Sequence, residues 1–342
     1  SEMPRCGSQI ILCDLPIRFD TYVGCSHGCT YCFARKKQDI NAIKPNESVA
    51  TLERFINGKR SKETEWCDWN IPLHWGGMSD PFQPLEAHYK RSYDCLKVFA
   101  KTGYPFAFST KGKIIATPEY LSVLKDCNAV SQVSMVSPRY DKLEPGAPTF
   151  DERMRFLPKL AENTKRLIIR ISPYAVGLAD EVCGHLQDYK DAGVFGIEVE
   201  AMKRTSKKPG LVKVGGDWCY PVEVLRKEFS QIREKAKEVG LAFYSGENRL
   251  RAMGDDSCCC GVTGVPGFKP NRANLNRLVF GKEIEYTSHM KQPGTGGTFD
   301  ALTQKTLGSR FVRNESYETV MDISSRSKTH LIAMGLLAED TE

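Results

Sequence analysis

Long apolar runs are missing from this 342-residue chain: none approaches the roughly 20 consecutive hydrophobic residues that cross a bilayer, which excludes a bundle of membrane-spanning helices. The opening SEMPRCGSQI also lacks the basic segment and apolar stretch of a secretory signal, so a cytoplasmic protein without a membrane partner is expected. Histidine is scarce, six residues in all, and His74, His88, His185, His289 and His330 share no metal-ligand spacing and receive no role. Strong charge of one sign is absent too. A net charge of +6 permits an anionic partner but falls short of the basicity of dedicated nucleic-acid-binding domains. What the chain does have is cysteine, thirteen residues, six of them clustered in two short stretches. In a large chain without an export signal, that pattern points to metal or redox chemistry rather than disulfide stapling.

A hydrophobic fraction of 41% is enough for one large core or two ordinary ones. No repeat or low-complexity linker interrupts residues 70–250, where short apolar runs alternate with longer amphipathic stretches. Strands are expected near 17–23 and at Ile71–Trp75, Pro105–Thr110, Ala129–Val136, Arg166–Ser172, Val194–Val199 and Gly240–Ser245. Helices are expected near 86–101, 117–126, 150–163, 179–191 and 222–239. Such alternation predicts an α/β fold on a parallel sheet, closed, partly closed or open, with working residues at the C-terminal strand ends. After residue 255 come DDSCCCGVTGVPG, a Gly-rich stretch at Gln292–Thr298 and a long helix expected from Glu315 to about Leu337. Residues 1–254 therefore read as the barrel unit and 255–342 as a mainly helical C-terminal extension.

The first cysteine group, YVGCSHGCTYCFAR, places Cys25, Cys29 and Cys32 on one loop. Three thiolates suit a structural zinc if His27 supplies the fourth ligand. His27, however, sits between two of the cysteines, where the loop would have to fold back tightly, whereas an iron–sulfur cluster gives the missing fourth thiolate a purpose by leaving one iron open to a small molecule.

The C-x3-C-x2-C spacing, with Tyr31 before the last cysteine and Phe33 after it, resembles the signature of radical S-adenosylmethionine enzymes. The segments MSDPFQPLE, STKGKI, VSPRYDKLEPGAPTFDERM and IRISPY extend the resemblance to the spore photoproduct lyase-like branch over about residues 18–200. The resemblance implies a partial TIM-type (β/α)6-7 barrel holding a [4Fe–4S] cluster and S-adenosylmethionine, supplied with electrons by a flavodoxin- or ferredoxin-like donor. It implies that Gly76 and Gly77 let backbone carbonyls meet the methionyl ammonium. Ser109, Lys111, Ser134 and Arg170 would contact the carboxylate and ribose, and the GIEVE strand with Glu198 and Glu200 would flank the adenine. The sequence departs from the lyase where that enzyme carries its hydrogen-donor cysteine before Ser-Asp, because Gly76-Gly77-Met78 has no thiol there.

The second group, Cys258, Cys259 and Cys260, suits an auxiliary metal or cluster, a hydrogen-donor or redox thiol, or buried cysteine. Three successive side chains do not easily ligate one cube. Two could, with help from elsewhere. Cys95, Cys127 and Cys183 read as small core residues, and Cys6, Cys13 and Cys67 are scattered without a role. Tyr244 could relay a hydrogen atom or electron; Asp80, Glu247, Arg249 and Arg251 could face a substrate carboxylate or phosphate, or form a buried ion-pair network. Basic excesses at Arg35–Lys37 and at Lys203, Arg204, Lys207, Lys208 and Lys213 favour a nucleobase or nucleic-acid substrate. The alternatives are a small metabolite, amino-acid adduct or peptide, and a non-catalytic metal protein that binds nucleic acid.

Overall fold

The computed structural model describes residues 4–6, 13–36, 38–46, 49–61, 64, 67, 70–214, 217–274, 276–280 and a few positions between 325 and 332. The expected helix from Glu315 and the Gly-rich stretch Gln292–Thr298 lie almost wholly outside the described residues. In chain order the strands are β1 (Arg5–Cys6), β2 (Ile17–Phe19), β3 (Tyr22–Val23), β4 (Lys44–Pro45), β5 (Leu73–Trp75) and β6 (Phe106–Thr110). They continue with β7 (Ala129–Ser134), β8 (Arg166–Tyr174), β9 (Gly196–Ala201), β10 (Val212–Val214), β11 (Asp217–Cys219) and β12 (Ala242–Ser245). The helices are α1 (Val49–Ile56), α2 (Glu86–Tyr89), α3 (Arg91–Thr102), α4 (Pro118–Leu124), α5 (Phe150–Asn163), α6 (Ala179–Asp191), α7 (Val222–Val239) and α8 (Asn276–Val279).

One sheet runs β1-β2-β5-β6-β7-β8-β9-β12. Its seven strands from β2 to β12 pair in parallel, and β1 is added antiparallel at one edge. The sheet is a partial TIM-type barrel whose two ends do not pair. Apolar side chains on both faces explain the strand content, as in any parallel sheet covered by helices. On the outer face Phe19, Trp75, Phe106, Phe108, Val133, Ile169 and Phe243 pack under Leu96, Phe99, Leu157, Leu186 and Phe229 of the helices.

Local signals set the helix boundaries. Thr149 and Glu152 cap α5 reciprocally, and α7 stops at Gly240 in a left-handed conformation. The single helix expected over 86–101 is two. The buried Glu86 carboxylate accepts the Ser92 and Tyr93 amides at 3.0 and 2.8 Å, capping the first turn of α3 from inside and forcing Lys90 to φ 51°. The strand expected near 17–23 is two, β2 and β3, and the β10–β11 hairpin, β4 and α1 lie outside the expected pattern.

The segment after β12 turns back across the inner face. Cys258, Cys260, Val262, Val265 and Phe268 form a second core with Leu15, Ala107, Val130, Ile168 and Tyr244. The described part of the extension next to β12 is therefore mostly irregular and plugs the amino-terminal end of the barrel, with α8 as a short regular element.

Candidate active site

The first cysteine loop follows β3 at the carboxyl-terminal edge of the sheet. It has little regular structure, so its shape comes from anchors in other segments. The Cys25 amide donates to Ile40 O at 3.0 Å, the Thr30 amide to Leu143 O at 2.9 Å, and the Ser26 amide to Gln83 Oε1 at 2.8 Å. Arg35 closes it, donating to Cys29 O at 2.9 Å and Gly28 O at 2.7 Å. Its guanidinium therefore serves the loop rather than a free basic patch.

His27 is the central pin. Its Nε2 lies 2.9 Å from Asp80 Oδ2 and its Nδ1 3.1 Å from Gly146 O. Both ring nitrogens are engaged by acceptors, so His27 does not complete a zinc site. Asp80 also accepts from the Phe82 amide at 2.8 Å, the Thr110 hydroxyl at 2.7 Å and the Lys111 amide at 2.6 Å. Burial opposes its ionisation, but the facing His27 and these donors outweigh that and hold the carboxyl down at about 2. Asp80, expected to face substrate, has both oxygens committed within the protein and ties the cysteine loop to the ends of β5 and β6.

The turn after β7 clasps the loop from the other side. A Cβ on Gly146 would stand 2.1 Å from Ser26 O, so the close approach requires glycine there. Glu144 accepts from the Tyr31 hydroxyl and pairs with the buried Arg153. Lys111 Nζ sits 4.0 Å from Glu144 and 5.8 Å above the Tyr31 ring. Tyr31 thus orders the loop, whereas Phe33 is 53% exposed.

The three cysteines are free thiols. Burial, then the charge of Asp80, pushes Cys25 up to about 12; burial also raises Cys29, against the opposing pull of Lys111. Cys29 adds to the rise at Cys25, and Cys32 to that at Cys29. Cationic iron is the countercharge this donor set lacks, so the residues fit a cluster. Among the described residues no three His, Cys, Asp or Glu side chains converge on a point for a single ion. A four-iron cube takes each thiolate at a separate corner and does not need that convergence.

Below the loop, inward-pointing residues of successive strands form a polar layer. Ser109 donates to Gln132 Oε1 at 2.7 Å and accepts from His74 Nε2 at 3.1 Å and Arg170 Nη1 at 3.3 Å. Burial, with Arg170 and Arg18 nearby, holds His74 down at about 3 and therefore neutral. Arg170 pairs with Glu198 at 3.3 Å and Glu200 at 3.7 Å, and Glu200 accepts from Lys203 at 2.6 Å. Burial raises Glu198, although Arg170 pulls the other way. Sequence reasoning passed over Arg18, His74 and Gln132. The available signal was their alternation with buried apolar neighbours on β2, β5 and β7.

Gly76 turns out of β5 at φ +93°, where an added Cβ would meet Ser109 O at 2.7 Å. Gly77 lies against the Arg18 side chain. Ser134 ends β7 in register with Arg170, and its carbonyl accepts from Arg153 at 2.6 Å.

The remaining candidates divide. Glu247 and Arg249 form a buried pair at 2.9 Å, and Arg249 also donates to Tyr220 O at 2.9 Å. The ion-pair alternative describes both better than a substrate role does. Arg251 donates to Asn248 Oδ1 at 2.6 Å and reaches the Cys259 thiol. Tyr244 is buried among Cys258, Cys260 and Ile168, and burial pushes its phenol up to about 12. Cys13, left without a role by the sequence, joins the second cysteine group by touching Cys260.

A parallel sheet open between its edge strands, with a cysteine loop over its carboxyl ends, defines this protein as a partial-barrel α/β protein. Its fold is that of spore photoproduct lyase. A variant of that enzyme with bound AdoMet and dinucleoside spore photoproduct matches with a TM-score of 0.55 and 16% identity over 68% of this chain and 76% of the lyase chain. Another variant matches with a TM-score of 0.56 and 16% identity over 72% and 79%. The likeness is one of fold, and at that level it bears out the expected spore photoproduct lyase-like relationship. In sequence, uncharacterized proteins of Mycobacterium tuberculosis and Mycobacterium bovis are each 28% identical over 109 residues, 30% of this chain and 32% of theirs. The match thus spans about a third of these relatives' length. No family model matches the chain. No helix among the described residues is long and apolar enough to cross a membrane.

Proposed function

We propose that this protein is a radical S-adenosylmethionine enzyme in which Cys25, Cys29 and Cys32 hold a [4Fe–4S] cluster. Residues 1–254 would be the catalytic unit, with 255–342 appended to it. One observation carries this reading: C-x3-C-x2-C sits over the strand ends of a spore photoproduct lyase-like barrel, on a loop whose His27 is occupied in anchoring it to Asp80 beyond β5. Cluster and S-adenosylmethionine together would supply a 5′-deoxyadenosyl radical that takes a hydrogen atom from substrate.

The chain's own residues bind and orient. Gly76 leaves its strand end without a side chain, where a ligand's ammonium can meet backbone oxygen. Lys111, at the end of β6, and Arg170 offer cations to a carboxylate; Ser109 and Ser134 offer hydroxyls to it and to a ribose. Tyr31 and Phe33 flank the cluster loop, and β9 with Glu198 and Glu200 lines the adenine side.

The substrate we favour is a nucleobase or nucleic acid. The structurally similar lyase binds a dinucleoside spore photoproduct. In addition, Lys207 and Lys213 lie on or beside the β10–β11 hairpin, with Lys207 Nζ 5.8 Å above the Trp218 ring. Since Gly77 leaves no thiol at the lyase's donor position, the reaction would differ from dimer repair by that route.

The test is anaerobic. Protein reconstituted with iron and sulfide and then reduced is given S-adenosylmethionine with and without DNA, and 5′-deoxyadenosine is quantified for wild type and Cys29→Ala. Cysteine-dependent product stimulated by DNA is expected. No product from cluster-loaded protein with any nucleic acid or small acidic substrate would overturn the reading.

A further inference from the structure

Four thiols from opposite ends of the described chain meet at the floor of the polar layer. Cys13 precedes β2, whereas Cys258, Cys259 and Cys260 follow β12. The Cys260 thiol lies among the sulfurs of Cys13, Cys258 and Cys259, all of which act on its ionisation. Cys259 Sγ lies 3.9 Å from Cys260 Sγ. Cys258 and Cys260 are buried, while Cys13 and Cys259 are partly accessible.

The surroundings hold this group rigidly. Val262, Val265 and Phe268 wedge the segment against Ala107, Val130 and Ile168. Gln132 Nε2 donates to Cys260 O at 3.0 Å, and the Cys258 amide donates to Asp256 Oδ1 at 2.7 Å. The Leu15 amide contacts Cys13 Sγ at 3.3 Å. The Arg251 guanidinium lies near the Cys259 sulfur, and its charge and that of Arg170 both favour the thiolate there. A partly accessible sulfur held between a second thiol and a guanidinium is the arrangement of an attacking cysteine with its resolving partner.

We infer that Cys259 and Cys260, with Cys13 as a third thiol, form a redox-active dithiol centre that exchanges with low-molecular-weight disulfides of the glutathione type. Cys259, as thiolate, attacks one sulfur of RS–SR, forming a Cys259–S–S–R bond and releasing RS⁻. Cys260 gives up its proton and attacks the Cys259 sulfur, closing the protein disulfide and releasing the second RS⁻. The Cys260 proton and the proton that Cys259 released to solvent on ionising end on the two RS⁻ ions, so two protein thiols are oxidised and one small disulfide is reduced to two thiols. Cys13, in contact with Cys260, can then exchange onto it and free Cys259.

The charge distribution supports this division of labour. The hydrogen bond from Cys260 lowers Cys259, burial opposes it, and Arg251 and Arg170 reinforce the lowering, while Glu198 faces the same space. Cys260 is raised by its three sulfur contacts. One thiol is poised as thiolate and its neighbour is kept protonated.

The test reads peptide masses and is independent of S-adenosylmethionine cleavage. Full-length protein is incubated anaerobically with oxidised glutathione, and its thiols are then mapped by differential alkylation. Loss of two thiols is expected within Cys13, Cys258, Cys259 and Cys260, as a disulfide that includes Cys260. Cys259→Ser should slow that loss at least about tenfold. Cys260→Ser should stop at a glutathione adduct on Cys259. Melting curves of both variants would establish that they fold. Unchanged kinetics in Cys259→Ser, a set of four that stays reduced, or a bound metal ion that blocks these thiols would each overturn the inference.

Discussion

Replacing Asp80 with asparagine keeps the side chain's shape and removes its charge at the point where three segments meet. The carboxylate receives the Phe82 and Lys111 amides, the Thr110 hydroxyl and His27 Nε2, at 2.6 to 2.9 Å. All of these partners donate, so an asparagine amide necessarily turns its own hydrogens toward at least one of them. The carboxyl falls from an ordinary 3.8 to about 2 in the fold. At 1.36 kcal/mol per unit, that linkage is about 2.4 kcal/mol of stabilisation. Adding the cost of a misdirected donor, Asp80→Asn should lose about 3 kcal/mol, within the range for breaking a buried pair. Because the folded pKa is depressed, the linkage contribution is present in full above pH 3.8 and drains away as pH falls through about 2. The gap between wild type and variant should therefore narrow across that window. Urea unfolding of the iron-free protein at several pH values measures it, and iron content after reconstitution reports whether the cysteine loop has lost its pin. A variant within about 0.5 kcal/mol of wild type that retains full iron would refute the assignment of Asp80 as the residue that positions the loop.

Other substitutions probe the remaining contacts. Gly146→Ala puts a methyl 2.1 Å from Ser26 O, so it should cost about 1–3 kcal/mol by overpacking and lower iron incorporation in proportion. Unaltered iron content and melting temperature would refute the close approach. Glu198 has a folded pKa raised to about 8, so its stabilising contribution is present below 4.5 and lost as pH rises through 8. Glu198→Gln should therefore become more stable relative to wild type across that interval in paired melts, and a pH-independent difference would contradict it. If the basic hairpin contacts DNA backbone, replacing both Lys207 and Lys213 by Gln should weaken binding and flatten its salt dependence by about 1–2 in the log–log slope. An unchanged slope would remove the hairpin from the interface.

Much of the barrel was legible because its signals are local. Helices α5, α6 and α7 have the boundaries read from amphipathic spacing, since Thr149 caps one start and Gly240 stops one end within a turn. The core strands were found for the same reason, as short apolar runs between turns. The break at Lys90 was missed because its cause, the buried Glu86 carboxylate, gains its partners Tyr22 and Tyr120 from distant segments. The polar layer was half seen. Ser109, Arg170 and Glu198 fall in the segments read as strand ends, whereas His74 and Gln132 acquire polar partners only when neighbouring strands take their register.

By itself the sequence determined the α/β alternation, the three-cysteine loop and its place after the first strands of the parallel sheet, because spacing along the chain controls each of them. Tertiary structure alone decided that His27 serves Asp80 instead of a metal, that Glu247 and Arg249 spend their charges on each other, and that Cys13 lies against Cys260. Those outcomes depend on which side chains the sheet's register and the returning segment bring within hydrogen-bonding distance, and chain spacing carries no record of that.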